Sequence, residues 1–162
     1  PAVMPGMKSA FARVVVVGVS QGGHAATLAG ARLPQVSCVV SLIGCPDYGS
    51  LMKARYAATD ASKKPPPDVA LPAPFLDLTA RTDAVHSPEA YDGKWFLAAS
   101  GAADTLVPGT YNARFVEALQ RRGRAARVVF TSEPGVGHRV TSAMVDATAA
   151  FVTEHLKAVA AL

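Results

Sequence analysis

The fold of this chain is decided by residues 13–26, which read Arg13-Val14-Val15-Val16-Val17-Gly18-Val19-Ser20-Gln21-Gly22-Gly23-His24-Ala25-Ala26. The four consecutive valines are typical of a strand that is buried on both faces of a parallel sheet. The alanine-rich run that begins at Ala25 favours a helix. The stretch therefore predicts a strand, a sharp turn with Ser20 at its tip, and a helix.

The turn itself has the pattern Gly18-x-Ser20-x-Gly22, which is that of a nucleophile elbow. A serine at such an apex needs a strained backbone. We expect both glycines to be required, because only residues without a Cβ let the strand and the helix pack closely. The alternative interpretation is a turn serine that merely lies beside glycines. The strand before it and the helix after it are the context that favours Ser20 as a nucleophile.

Composition limits the classes of protein to which the chain can belong. Its 162 residues are 50% hydrophobic and 17% charged, which is typical of a single globular domain. The net charge of +4 comes from scattered lysines and arginines, so we expect no nucleic-acid partner. No apolar run approaches the ~18 residues that span a bilayer and no signal-peptide pattern opens the chain, so we expect no membrane contact and a cytoplasmic location. Cys38 and Cys45 are expected to be reduced and buried.

The rest of the chain alternates between strand and helix patterns. Three further buried strands are predicted at about 36–44, 94–100 and 127–131, with a helix between the last two and another at the end, capped by Thr141 or Ser142. A strand, a helix and a strand at this spacing predict parallel pairing. The predicted class is therefore α/β, with a mostly parallel sheet flanked by helices.

Residues 48–86 differ in character from the rest. They contain two short helical patterns and a proline-rich connector at residues 63–68. We predict that they form a small cap-like insertion over Ser20, within one partial domain that spans residues 1–162.

Two residues could complete the chemistry of Ser20. A serine nucleophile needs a base, and the base needs a partner that fixes its tautomer. Asp104 directly follows the third predicted strand, and His138 lies in a glycine-rich loop after the fourth. Both should therefore lie with Ser20 at the carboxyl edge of a parallel sheet. We predict Asp104 as the acid, with a capping aspartate as the alternative, and His138 as the base.

Other acids and histidines compete for these roles. Asp83 and Asp92 precede the third strand rather than follow it. Among the histidines, His24 lies one turn along the helix after Ser20 and is interpreted as a packing or supporting residue. His86 falls in the cap, and His155 is predicted at the surface near the end of the last helix.

An oxyanion at the substrate carbonyl would need two N–H donors. We predict that the backbone N–H of Gln21 is the first, because Gln21 follows the nucleophile. The second donor is expected to be absent from the chain, since no loop after an earlier strand is available to supply it. A phosphate cradle is not expected, because residues 18–23 lack both the G-x-G pattern and the P-loop lysine.

Taken together, these motifs resemble the α/β-hydrolase superfamily, above all carboxylesterases of the dienelactone hydrolase and prolyl-oligopeptidase-like group. Besides the elbow, the resemblance depends on two runs: Leu97-x-x-Ser100-Gly101-x-x-Asp104-x-Leu106-Val107-Pro108 and Glu133-Pro134-Gly135-Val136-x-His138-Arg139-Val140-Thr141. It covers about residues 13–157 and implies Ser20 as nucleophile, Asp104 as acid and His138 as base. It implies no metal and no organic cofactor.

The family's first strands and its His-Gly loop have no counterpart in the sequence, and the chain begins with Pro1. The resemblance thus implies the C-terminal portion of an α/β-hydrolase fold, a serine hydrolase and a small-molecule ester as substrate. Two alternatives stay open: a prolyl-oligopeptidase-like serine peptidase, and an inactive fragment that lacks the N-terminal half of the domain. An uncovered sheet edge would also favour a dimer or pairing with a missing N-terminal segment.

Overall fold

The computed structural model describes residues 13–57 and 71–161. One sheet contains four strands in sequence order, all paired in parallel: β1 (Val14–Val19), β2 (Val36–Leu42), β3 (Trp95–Gly101) and β4 (Arg127–Glu133). In the same ranges five α-helices are present: α1 (Gln21–Arg32), α2 (Tyr48–Ala57), α3 (Ala73–Thr82), α4 (Thr110–Arg122) and α5 (Ser142–Ala160). Short 3₁₀ turns occupy Ala84–His86 and Pro88–Tyr91. The predicted α/β class is confirmed.

Alternating side chains of the central strands fill a separate apolar layer on each face of the sheet. Phe96 and Ala98 of β3 pack on one face with residues of α1 and α4, such as Phe115. Leu97 and Ala99 point to the other face, where α5 contributes Met144 and Phe151. Period-two alternation thus buries both faces of β3, as a parallel sheet between helix layers requires.

The first strand departs from its prediction. Val17 and Val19 are 51% and 46% exposed, so β1 is not buried on both faces. Among the described strands β1 pairs only with β2 and forms one edge of the sheet. A run of valines indicates that a segment favours the strand conformation, whereas the burial of that strand depends on the elements that pack around it.

The segment predicted as a cap contains α2 and α3, which pack against each other through Tyr48 and Phe75. Leu51 of α2 packs with Cys45 and Val107, and Tyr48 and Tyr111 pack against this cluster. The proline-rich connector at 63–68 lies outside the described residues. The assignment of residues 48–86 as a cap stays a prediction.

The state of the two cysteines and the length of the helices also bear on the sequence predictions. Cys38 and Cys45 are free and buried, and burial raises the pKa of both thiols to about 12, so they are poor nucleophiles. Within the described ranges, none of the helices is long and apolar enough to cross a membrane.

Candidate active site

Ser20 occupies the sharp turn between β1 and α1. Its backbone has φ 54° and ψ −117°, a conformation that L-residues rarely adopt. Its N–H donates to the carbonyl of Leu42 at 2.8 Å, which fixes the turn to the end of the neighbouring strand β2. The strained turn thus holds the Ser20 side chain at the carboxyl edge of the sheet.

The glycines around Ser20 are not equivalent. A Cβ on Gly18 would lie 1.9 Å from the carbonyl oxygen of Gly22, which no side chain can tolerate. A Cβ on Gly22 would meet nothing within 4 Å, whereas one on Gly23 would lie 2.9 Å from the Cα of Gly44. The expectation that Gly22 is sterically required is therefore wrong in the described structure, and Gly23 makes the close approach instead.

This difference predicts opposite effects of two alanine substitutions on stability. Gly18→Ala is expected to lower the free energy of unfolding by about 3 kcal/mol, because its Cβ overlaps backbone that cannot move aside. Gly22→Ala, the matched control, is expected to raise it by up to about 1 kcal/mol through helix propensity. Urea denaturation of the two variants measures both values. Equal destabilisation by the two substitutions would contradict this account of the turn.

His138 lies in the loop after β4, where its ring faces the serine. The Nε2 atom is 2.8 Å from the Oγ of Ser20. The end of β3 holds this loop, because the N–H of Ala103 donates to the carbonyl of Val136 at 2.9 Å. The approach is so close that a Cβ on Gly101 would lie 2.2 Å from that same oxygen.

Asp104 lies directly after β3, and both oxygens of its carboxylate have hydrogen-bond partners. Oδ2 is 2.8 Å from the Nδ1 of His138. Oδ1 accepts from the N–H groups of Leu106 and Val107 at 2.9 and 2.8 Å. Since a carboxylate only accepts, Nδ1 of His138 carries the proton, and Nε2 is left with a lone pair toward Ser20.

The three predicted residues therefore form one chain of hydrogen bonds, from Ser20 through His138 to Asp104. Three separate loops supply them, after β1, β4 and β3 respectively. Parallel strands bring these loops to the same edge of the sheet. Gln21 is the first residue of α1, so its N–H has no carbonyl of a preceding turn to bind.

A cavity of about 310 Å³ opens beside Ser20. Apolar side chains of α2 and of the Asp104 loop form part of its wall, namely Leu51, Leu106 and Val107. Polar groups complete the lining: Ser20, Gln21, His24, Cys45, Tyr48, Arg55 and His138. The Arg55 guanidinium donates to the carbonyl of Leu106 and so links α2 to the loop that holds Asp104. In the described part of the chain, no cluster of three or more His, Cys, Asp or Glu side chains has the arrangement of a metal site.

The competing residues are distributed elsewhere in the fold. Asp92 forms a surface ion pair with Arg122 at 2.6 Å, and Asp83 is buried under α2. His86 is exposed in its 3₁₀ turn. The prediction that His155 lies at the surface is wrong: it is 3% exposed, because its ring packs against Trp95 and its Nε2 is 2.9 Å from the Oγ of Ser37.

His24 lies beside the site, one turn along α1 from Ser20. Its ring forms part of the cavity wall, stacks on Tyr48 and donates from Nδ1 to the carbonyl of Cys45 at 2.9 Å. Its spacing of one helical turn from Ser20 is the signal in the sequence. Asp83, which lies 3.9 Å from its Nε2, has no comparable signal, because it is distant in sequence.

Comparison with known proteins finds one curated relative and several structures with a similar fold. No protein-family model matches the chain. Over 148 residues the chain is 28% identical to the esterase YjfP of Escherichia coli, and the match covers 89% of this chain and 57% of the relative. The chain thus spans less than two thirds of the curated relative that it matches.

Solved structures share the fold. The protein TT1662 of Thermus thermophilus superposes with a TM-score of 0.62 at 27% identity, over 86% of this chain and 53% of that one. Acetyl xylan esterase 1 of Thermoanaerobacterium superposes with a TM-score of 0.62 at 21% identity, over 88% and 45% of the two chains. The chain thus has the α/β-hydrolase fold over a part of the length of these neighbours, and it is similar to a relative that is named as an esterase.

Proposed function

We propose that the chain carries the catalytic triad of a serine esterase, with Ser20 as nucleophile, His138 as general base and Asp104 as its orienting acid. The observation that carries the proposal is the pair of 2.8 Å hydrogen bonds that joins the three side chains beside the cavity. The similarity to a relative named as an esterase supports the choice of substrate class.

The first half of the reaction acylates the serine. Ser20 Oγ attacks the ester carbonyl carbon while its proton passes to the lone pair on His138 Nε2. The tetrahedral oxyanion that forms accepts a hydrogen bond from the N–H of Gln21, and the start of α1 adds the positive end of the helix dipole. The C–O bond to the alcohol then breaks, and His138 returns the proton to the leaving oxygen.

The second half releases the acid. A water molecule gives a proton to His138 Nε2 and attacks the acyl carbon, and the Ser20 Oγ leaves with the proton that His138 donates. Asp104 stays ionised in both halves, because it holds the ring in one tautomer and stabilises the imidazolium. The N–H groups of Leu106 and Val107 fix its carboxylate in that position.

An ester is proposed over a peptide because the curated relative is named as an esterase and the cavity beside Ser20 has a volume of only about 310 Å³. Turnover of p-nitrophenyl acetate and of an amino-acid p-nitroanilide by the full-length protein separates the two. We expect Ser20-dependent hydrolysis of the ester with the larger kcat/KM. A larger kcat/KM for the anilide would favour a peptidase, and no turnover of either compound would contradict a hydrolase.

A further inference from the structure

A second histidine–carboxylate pair lies at the cavity wall, apart from the triad. His24 is on α1, one turn after Ser20, and its ring stacks on Tyr48 with 4.8 Å between the ring centroids. Its Nδ1 donates to the carbonyl of Cys45 at 2.9 Å. The Nε2 atom is therefore the free side of the ring, and it faces Asp83 Oδ1 at 3.9 Å.

Asp83 connects this ring to α2. Its side chain is 1% exposed, and Oδ2 accepts from the N–H of Gly49 in the first turn of α2 at 2.7 Å. The contact is tight, since a Cβ on Gly49 would lie 2.6 Å from Thr79 Oγ1 and 3.4 Å from Asp83 Oδ2. Asp83 Oδ1 is a buried oxygen with no hydrogen-bond partner among the described residues.

The electrostatics of the pair favour one proton on either Nε2 or Oδ1, although the 3.9 Å between these atoms is longer than a hydrogen bond. Without a proton between Nε2 and Oδ1, a ring lone pair would face a carboxylate lone pair in a buried site, which is unfavourable. Burial raises the pKa of Asp83, while the Gly49 N–H and His24 lower it. Other charged groups around Asp83 are Asp47, which precedes α2, and His86 in the following turn. Tyr48 and Cys45 also lie against His24.

We propose that His24 and Asp83 are positioning residues that hold the start of α2, and with it the wall formed by Tyr48 and Leu51, against the nucleophile helix. Through that wall the pair sets which substrates Ser20 accepts, and it selects for longer acyl chains. The inference rests on the proposed esterase function, and it assigns no step of the chemistry to either residue. Loss of the proton that lies between His24 and Asp83 removes their attraction and frees the wall, so selectivity for longer esters decreases as pH rises.

The test is a ratio of two specificity constants against pH. The kcat/KM values for p-nitrophenyl hexanoate and acetate are measured on the full-length protein from about pH 5 to about pH 9. A pH dependence of the chemical step that both esters share cancels in the ratio. We expect the hexanoate/acetate ratio to fall by about 10-fold across this range in one titration step. A change of this size is what the loss of one apolar contact in a substrate pocket typically causes.

Variants separate this role from a merely structural one. His24→Gln is expected to give a hexanoate/acetate ratio of kcat/KM values that is low and independent of pH. Asp83→Asn keeps an acceptor for the Gly49 N–H, and its NH₂ group would take the place of Oδ1 and donate toward the lone pair of His24 Nε2, so it is expected to give a hexanoate/acetate ratio that is high and independent of pH. His86→Gln, an exposed histidine near the same carboxylate, should keep the profile of the unaltered protein.

A ratio that does not change with pH in the unaltered protein would overturn the inference without any variant. Retention of the pH step in His24→Gln would overturn it as well. In both cases Ser20-dependent turnover of both esters would leave the proposed function intact. Loss of turnover of both esters in the unaltered protein would instead be a failure of the proposed function.

Discussion

Replacement of Ser20 by alanine is expected to lower kcat for ester hydrolysis by about 10⁶-fold, because the nucleophile is then absent and the remaining groups cannot form the acyl-enzyme. His138 and Asp104 would stay in place, since their mutual 2.8 Å hydrogen bond does not involve the serine. The measurement is steady-state hydrolysis of p-nitrophenyl acetate, together with thermal unfolding of the same variant. We expect the midpoint of unfolding to change little.

The chain offers a matched control for this substitution. Ser37 Oγ is also hydrogen-bonded to a histidine, His155 Nε2, at 2.9 Å. That pair has no carboxylate partner in the described structure, because His155 Nδ1 is left without a hydrogen bond. Ser37→Ala should therefore keep the activity of the unaltered protein. An active Ser20→Ala variant, or an equal loss in Ser37→Ala, would contradict the assignment of Ser20.

The second large effect is expected from Asp104→Asn, at about 10⁴-fold in kcat. The side-chain oxygen of asparagine must still accept from Leu106 and Val107, so its NH₂ group would face His138 Nδ1. Nδ1 would then have to accept, and the proton would move to Nε2. His138 would be in the wrong tautomer to take the proton of Ser20.

Asp92→Asn is the control for the loss of a carboxylate. Asp92 lies before β3 and pairs with Arg122 at the surface, so the substitution should leave kcat/KM unchanged. Comparison of kcat/KM and of the thermal midpoint for both variants checks the prediction. A loss below about 10-fold in Asp104→Asn would show that Asp104 does not set the tautomer of His138.

Much of the site could be predicted from the sequence because its residues are attached to local patterns. Ser20 follows a run of β-branched residues and precedes a helix, and Asp104 and His138 each follow a predicted strand. In a parallel sheet these positions converge at one edge without any knowledge of side-chain packing. The geometry brings the three together as predicted, and their catalytic roles remain the proposal.

The errors arose where burial depends on contacts that are distant in sequence. Val17 and Val19 have strand propensity, but the sequence does not show that their strand lies at an edge of the described sheet. His155 is near the end of a helix, yet Trp95 and Ser37 cover it. Gly22 fits the elbow pattern, but the close approach is made by Gly23 to Gly44, a residue after β2 whose position relative to α1 is set by tertiary packing.

His24 can be placed near the site from the sequence and Asp83 cannot, and this difference has the same physical origin. One helical turn separates His24 from Ser20, so the sequence alone places it near the site. Asp83 reaches the pair from the far side of α2, and only the folded chain brings it to 3.9 Å from Nε2. Positioning residues of this kind have no motif, because their role depends on which neighbour they touch.

The central claim, that Ser20 is a nucleophile activated by His138 and Asp104, is tested most directly by covalent labelling. The full-length protein is treated with a fluorophosphonate, and the modified residue is located by peptide mass spectrometry. We predict stoichiometric modification of Ser20 in the unaltered protein, and its loss in a variant whose His138 is replaced by alanine. Absence of modification, or modification at any residue other than Ser20, would contradict the claim.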